Sequence, residues 1–444
     1  LWDTPGFGDS VRLARRMRQQ GNPLGWVLSE VWDRWRDRPF WASQQALRHV
    51  RDDSDVVLYL VNAAEAPAAA GYVAPEMELL AWVGKPVIVL LNQLGAARSA
   101  AEDAADIEAW RAHLAPHPLV KAVLPLDAFA RCWLQEGLLL QQIAAVLGGE
   151  PALAMQRLHT AWAQARLATF DASISLLAGD LGRAAAARVA VPDGGGLRGR
   201  LRQVGGALGL PGADREADPQ VIAQQALAAG LAEASRAGTT RLIALHGLDG
   251  QARSQIEALL EQPFEHRQKL PEGKAAVIGG AVTGAITGLK ADLLSGGLTL
   301  GGGLIAGGLL GALGAASLAR GINVVRGTGS SWVAWNAEAM GLQVEGALMR
   351  YLAVAHFGRG RGAWVQGEPP AHWRAAVQDS LVPQAGALAA VWRSRSTRHD
   401  QPDDPQQLAA SLEPLLDSAA RGVLERLYPG AWPVGASTAA PQSS

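Results

Sequence analysis

Asp3 and Gly6, with Thr4 and Pro5 between them, are the residues near the start of this chain best suited to handling a phosphate. A carboxylate at the first position can hold a magnesium ion, usually through water. A glycine three residues later lets its backbone N–H come close to a phosphate oxygen, where a side chain would obstruct. Pro5 stiffens the turn, and the string continues as Phe7-Gly-Asp-Ser10. A second set of candidates lies in Leu90-Leu-Asn-Gln-Leu-Gly95, where the amide of Asn92 can approach a purine edge and tie neighbouring loops together. Asp127, in Leu124-Pro-Leu-Asp-Ala-Phe129, adds a carboxylate able to accept hydrogen bonds from base N–H groups.

These residues need a scaffold that gathers strand ends. Three short apolar runs, 55–62, 86–92 and 119–124, alternate with helix-like segments at 41–53, 75–83, 101–115 and 134–147. Unbroken apolarity is what strands buried on both faces of a parallel sheet require. Strand, crossover helix and strand in repetition give an α/β fold whose ligand sits at the carboxyl ends of the strands, where Asn92 and Asp127 fall. From about 150 to 270 the composition shifts to Ala, Leu, Gln and Arg, with helical spacing of apolar residues in 153–181 and 221–234 and almost no strand signal. Loops are expected at 191–197 and 208–218. After the Gly-rich stretch a helical segment is expected through Tyr351, then an amphipathic one near 405–427. The expected organisation is an α/β domain over 1–150, a mainly helical domain over 151–375, C-terminal helices over 376–428 and a disordered tail over 429–444.

Three strings together resemble a known family: Asp-Thr-Pro-Gly-Phe-Gly-Asp at 3–9, Leu-Asn-Gln-Leu-Gly at 91–95, and Arg350-Tyr-Leu-Ala-Val-Ala-His-Phe-Gly-Arg-Gly-Arg-Gly362. They are similar to bacterial P-loop GTPases of the Era/HSR1-like type, in particular the group whose C-terminal half is a domain of unknown function. The likeness covers most of residues 1–375. It implies a partial P-loop GTPase sheet that takes GTP with Mg2+, followed by the helical domain. Asp3 would hold the metal, and the Gly6 amide would face the γ-phosphate. Asn92, Gln93 and Gly95 would stand at the base, with Asp127 as a substitute acceptor.

The departures from that family are chemical. Its usual Asn-Lys-x-Asp is here Asn92-Gln93-Leu94-Gly95. Guanine N–H donors left buried without an acceptor cost roughly 1–3 kcal/mol each. Phe7 stands where Ras-type GTPases carry a Gln that orients water, so intrinsic turnover is expected to be slow. No Gly-x-x-x-x-Gly-Lys-Ser/Thr occurs: the Gly-Lys pairs at 84–85 and 273–274 are followed by Pro86 and Ala275. That motif is expected upstream of Leu1, so the chain reads as N-terminally truncated. It offers no catalytic residue, and hydrolysis of GTP by these residues alone is not expected.

Residues 275–289 and 293–319 are built of Gly, Ala and Leu, without a charge inside either run. Gly280, Gly284 and Gly288 fall four apart, as do Gly303, Gly307 and Gly311, which lines small residues along one helix face. Two readings of this Gly-zipper hairpin, 275–319, stand side by side. It enters a bilayer from the cytosolic side, since the second run exceeds the roughly 20 residues of a span although the first does not, with Lys269, Lys274, Arg320 and Arg326 outside it. Alternatively, it packs tightly within the protein or a homo-oligomer.

Composition sets the remaining limits. The net charge of −1, from 40 basic and 41 acidic residues, gives no global field towards nucleic acid, and none is expected as a partner. A single cysteine, Cys132, excludes an internal disulfide and a cysteine-based zinc site. No basic region followed by an apolar run opens the chain, so a cytoplasmic location is expected, at the inner membrane if the hairpin associates with it. The nine His show no metal spacing, because Pro116 and Pro118 break the alignment of His113 with His117. Magnesium is the one metal expected. The expected function is a GTP-binding protein whose helical region is switched by nucleotide at a membrane or within an assembly. The rival is a non-hydrolysing membrane-associated or scaffolding protein with a vestigial GTPase fold.

Overall fold

The computed structural model describes residues 10–18, 36–92, 100–126, 132–191, 219–248, 322–326, 331–356, 371–396 and 402–433. They form two compact units. The first comprises the described residues of 1–166 together with 431–433, and the second comprises those of 167–356 and 371–430.

In the first unit the three apolar runs become strands β1 (Val57–Asn62), β2 (Val87–Asn92) and β3 (Val120–Pro125). They pair in parallel in the order β1-β2-β3. Helices α1 (Ser10–Arg18), α2 (Arg38–Asp53), α3 (Val73–Val83), α4 (Ala100–Leu114) and α5 (Trp133–Val146) flank them in sequence. Every residue of β2 from Val87 to Leu91 is buried, as a central strand between two layers requires. Alternation along the strands divides the core. Val87, Val89 and Leu91 pack with Tyr59, Val61, Met77, Leu80, Trp110 and Leu114, whereas Ile88 and Leu90 pack with Leu124 and Ile143. Side chains of this size contribute about 1.5–3 kcal/mol each when fully buried. Leu13 of α1 and Phe40 and Leu47 of α2 meet Leu79 and Val83 of α3 in a further cluster.

Local signals set the element ends. The Asp37 carboxylate accepts the Phe40 N–H at 3.2 Å and caps α2, with Pro39 in the first turn. Helix α3 stops at Gly84, whose φ of 71° places it in the left-handed region and whose N–H donates to the Leu80 carbonyl at 3.0 Å.

The second unit takes the later half of α6 (Gly149–Ala186), α7 (Pro219–Leu245), α8 (Ala337–His356), α9 (Ala371–Leu381), a 3-10 turn (Val382–Gln384), α10 (Ala385–Ser394) and α11 (Pro405–Leu427). Helix α8 is its centre: every residue from Ala347 to His356 is buried, and α7, α9, α10 and α11 pack against it. Helix α6 approaches α11 at Gly182, where a Cβ would collide with the Pro405 carbonyl oxygen and lie 2.9 Å from the Ala409 nitrogen. The Asp404 carboxylate accepts the Gln406 N–H at 2.9 Å and caps α11.

One expectation for this region is corrected. Almost no strand is expected over 150–270, and after the Gly-rich run a helical stretch is expected through Tyr351; α8 supplies that helix from Ala337, but neither region is free of strand. Strands β4 (Arg188–Val191), β5 (Ile322–Arg326) and β6 (Ser331–Trp335) form an antiparallel sheet in the order β4-β6-β5. Its strands are only four or five residues long, too short to show a period against helical neighbours. Burial of Trp332, Val333 and Trp335 supplies the missing drive. The Gly-rich segment 275–319 lies outside the described residues. Among the described residues, no helix is long and apolar enough to cross a membrane.

Candidate functional site

The carboxyl ends of the parallel strands converge through backbone hydrogen bonds. Asn62 and Asn92 are register partners at the ends of β1 and β2. The next N–H, that of Ala63, donates to the Asn92 carbonyl at 2.7 Å. On the other side the N–H of Leu126, first residue beyond β3, donates to the Leu91 carbonyl at 3.1 Å. Asn92 therefore sits half-buried between the exit from β1 and the exit from β3. Of the residues expected at the nucleotide site, it is the one among the described residues. Asp3, Thr4, Pro5, Gly6, Phe7, Gln93, Gly95 and Asp127 lie outside the described residues, Asp127 directly after Leu126.

Three residues absent from the sequence-based set shape this edge. The Asn62 side-chain oxygen accepts the Ala64 N–H at 3.1 Å, an Asx turn that bends the chain off β1. The Tyr72 hydroxyl accepts the Asn62 N–H at 3.2 Å. Gln135 of α5 accepts the Cys132 N–H at 2.9 Å and donates to the Pro125 carbonyl at 3.0 Å, so one side chain links strand end to helix start. Asn62 ends an apolar run and was open to detection from the sequence. Tyr72 and Gln135 act on groups ten residues away, which no local pattern marks.

Beneath the edge Tyr59 donates to the Glu76 carboxylate. Burial raises the Tyr59 pKa far above its usual value, helped by Glu76. Burial also raises Glu76, with the Tyr59 hydrogen bond opposing. The raised Tyr59 pKa keeps its hydroxyl protonated, so Tyr59 is the donor of this pair. The described groups at this edge are amides, the Tyr72 hydroxyl, backbone polar groups and the Glu65 carboxylate, which lies 3.5 Å from the Asn62 amide nitrogen. Among the described residues, no group of three or more His, Cys, Asp or Glu is placed to hold a metal ion.

The string 350–362 enters the second unit as the end of α8, with residues 357–362 outside the described set. Arg350 is buried, and its Nη1 donates to the carbonyl and hydroxyl oxygens of Ser235 at 3.1 and 3.2 Å. Burial pulls its pKa down to about 10, against the opposing field of Asp180. Asp180, also buried, accepts hydrogen bonds from Arg241 at 2.7 Å and from Arg183. Gly238 leaves the space its carboxylate occupies, since a Cβ there would collide with Oδ2.

His356 lies 2.7 Å from the Leu352 carbonyl through Nδ1 and 2.6 Å from the Tyr428 hydroxyl through Nε2. A carbonyl only accepts, so Nδ1 carries the proton and Nε2 accepts from Tyr428. Burial pushes the His356 pKa down to about 4, with His372 adding to the shift and the Leu352 carbonyl opposing it. Ser173 and His246 are 3.1 Å apart, but the Ser173 hydroxyl donates to the Thr169 carbonyl at 2.6 Å. The imidazole must then donate to the serine, the reverse of nucleophile activation. These groups hold helices together.

Among curated proteins and among solved structures, no match is found. A family model, Domain of unknown function (DUF3482), matches residues 112–415, well over half of the chain. The match begins at the end of α4 and takes in β3, α5, the Arg350–His356 helix and the first half of α11. The chain belongs to the DUF3482 family.

Proposed function

We propose that this protein binds a guanine nucleotide with Mg2+ at the carboxyl edge of its parallel sheet, and that nucleotide state controls the helical unit. The observation that carries this reading is the position of Asn92, at the end of the central strand and beside the exit from β3. Ligands of open parallel sheets bind outside the carboxyl ends of the strands. The amide of Asn92 supplies a donor and an acceptor for a purine edge. The likeness of residues 3–9 and 91–95 to Era/HSR1-like GTPases supports the choice of nucleotide.

In this reading Asp3 holds the metal, Thr4, Pro5 and Gly6 form the phosphate-sensing loop, and Gln93, Gly95 and Asp127 complete the base loops. Bound Mg2+ would neutralise charge on the phosphates. Phe7 makes binding, rather than rapid hydrolysis, the expected activity. The segment 275–319 is the proposed output, at a cytoplasmic membrane face or a homo-oligomer contact.

The test is a fluorescence titration of the full natural chain with N-methylanthraniloyl-GDP and Mg2+. Saturable binding that GDP and GTP displace and ATP does not is the expected result. No saturable binding, or equal displacement by ATP, overturns the reading.

A further inference from the structure

Strand β3 is an edge strand: β2 pairs with one side of it, and among the described residues no strand pairs with the other. Peptide groups along a strand face alternate sides. The Leu126 N–H donates to Leu91 on the β2 side, so the N–H and C=O of Val123 and the C=O of Pro125 face away from β2. The Gln135 amide occupies that outer side, donating to the Pro125 carbonyl at 3.0 Å. The Val123 N–H and C=O have no hydrogen-bond partner among the described residues. They are a short stretch of open ladder, the kind of edge to which an extended peptide adds.

A groove of about 400 Å³ lies beside this edge. Arg111, Leu114 and Ala115 line it from the end of α4, Lys121 and Val123 from β3, and Gln142 from α5. Among the described residues that line it there are two cations and no Asp or Glu. The Arg111 guanidinium is half-exposed and 3.5 Å from Glu108, which lies outside the lining, and the Lys121 ammonium donates to the uncharged Pro118 carbonyl at 2.8 Å. Bulges and lysines often blunt a sheet edge, and a register shift does leave Lys121 facing no residue of β2, since Val120 pairs with Val87 and Ala122 with Ile88. That irregularity ends before Val123, and the lysine turns back towards the start of the strand. A second copy of this chain would bring its own Arg111 and Lys121 to the same seam, where like charges oppose pairing.

We propose that the outer edge of β3 is a docking site for an extended acidic segment of a partner protein. Val123 exchanges backbone hydrogen bonds with the incoming strand, and Arg111 and Lys121 pair with its carboxylates. Binding at this edge does not depend on nucleotide.

The test is fluorescence anisotropy of the full natural chain, without nucleotide, with fluorescein-labelled Thr-Val-Glu-Val-Glu-Val-Thr and its counterpart with Gln in place of both Glu. The acidic peptide should bind saturably below about 1 mM and about tenfold more tightly than the Gln peptide, the scale of two exposed ion pairs. Lys121→Glu, which reverses one charge, should weaken the acidic peptide about tenfold. Val123→Pro removes the outward N–H without breaking the β2 ladder, and should weaken both peptides about fivefold, the scale of one neutral hydrogen bond. No saturable binding, equal affinity for the two peptides, or wild-type affinity in Lys121→Glu would overturn the proposal. Self-association of the free chain in sedimentation equilibrium, lost in Val123→Pro, would overturn it by making a second copy the occupant. Should Val123→Pro fail to fold, Lys121→Glu carries the comparison.

Discussion

The backbone N–H of Leu126 donates to the carbonyl of Leu91 at 3.1 Å, so the chain leaves β3 against the residue that precedes Asn92. Two stretches more than thirty residues apart in sequence thereby share one corner of the sheet. If that corner reads a base, Asn92→Ala removes a hydrogen-bonding amide from it. Nucleotide affinity should fall about tenfold, with the thermal midpoint nearly unchanged because the side chain is only half-buried. Unaltered affinity, measured by titration, would separate Asn92 from recognition.

His356 gives the second unit a pH dependence of defined sign. Its pKa is near 6.5 in the unfolded chain and about 4 when folded, so the fold favours the neutral ring. The stability this contributes is complete above about pH 6.5 and is lost as pH falls towards 4, by on the order of 3 kcal/mol for the fully buried ring. Urea unfolding at pH 7.5 and pH 4.5 should show this drop for the wild type and a smaller one for His356→Gln. Equal drops would contradict the buried neutral ring.

Asp180 is where the charges of α6, α7 and α8 meet. Removing it by Asp180→Ala leaves Arg350 buried without its counter-charge, a defect that costs about 3–5 kcal/mol. Pairing it with Arg350→Met should recover much of the loss. Arg183→Ala should cost far less, because that guanidinium is half-exposed and screened. Chemical denaturation of the four proteins checks the order.

Gly182 and Gly238 are steric requirements. Gly182→Ala forces α11 away from α6 and should destabilise by about 1–3 kcal/mol. Gly230→Ala is the control: it lies in α7 with no atom near its would-be Cβ, and should stabilise by up to about 1 kcal/mol. Equal effects in thermal melts would remove the close approach as the cause.

Much of this was legible from residue type alone where physics is local. The runs ending in Asn62, Asn92 and Leu124 are short and largely apolar, and the observed strands begin within two residues of the expected ones. Asn92 could be read as a strand-end amide for the same reason. Gln135 could not, since its contact depends on the Pro125 carbonyl, ten residues earlier, arriving 3.0 Å from its amide nitrogen. The second sheet was hidden because the four residues of β4 pair with residues more than 130 positions later, a separation that no window spans. Arg350 and His356 stood out as a string, but their burial depends on helices α7, α9 and α11 closing around α8.

The central claim is that nucleotide binds where the ends of β2 and β3 meet. Amide hydrogen exchange of the full natural chain, with and without GDP and Mg2+, locates the site directly. The account predicts slower exchange on nucleotide addition at Leu91–Asn92 and at Leu126 and Cys132–Trp133. Unchanged exchange at both strand ends, with or without protection elsewhere, would contradict it.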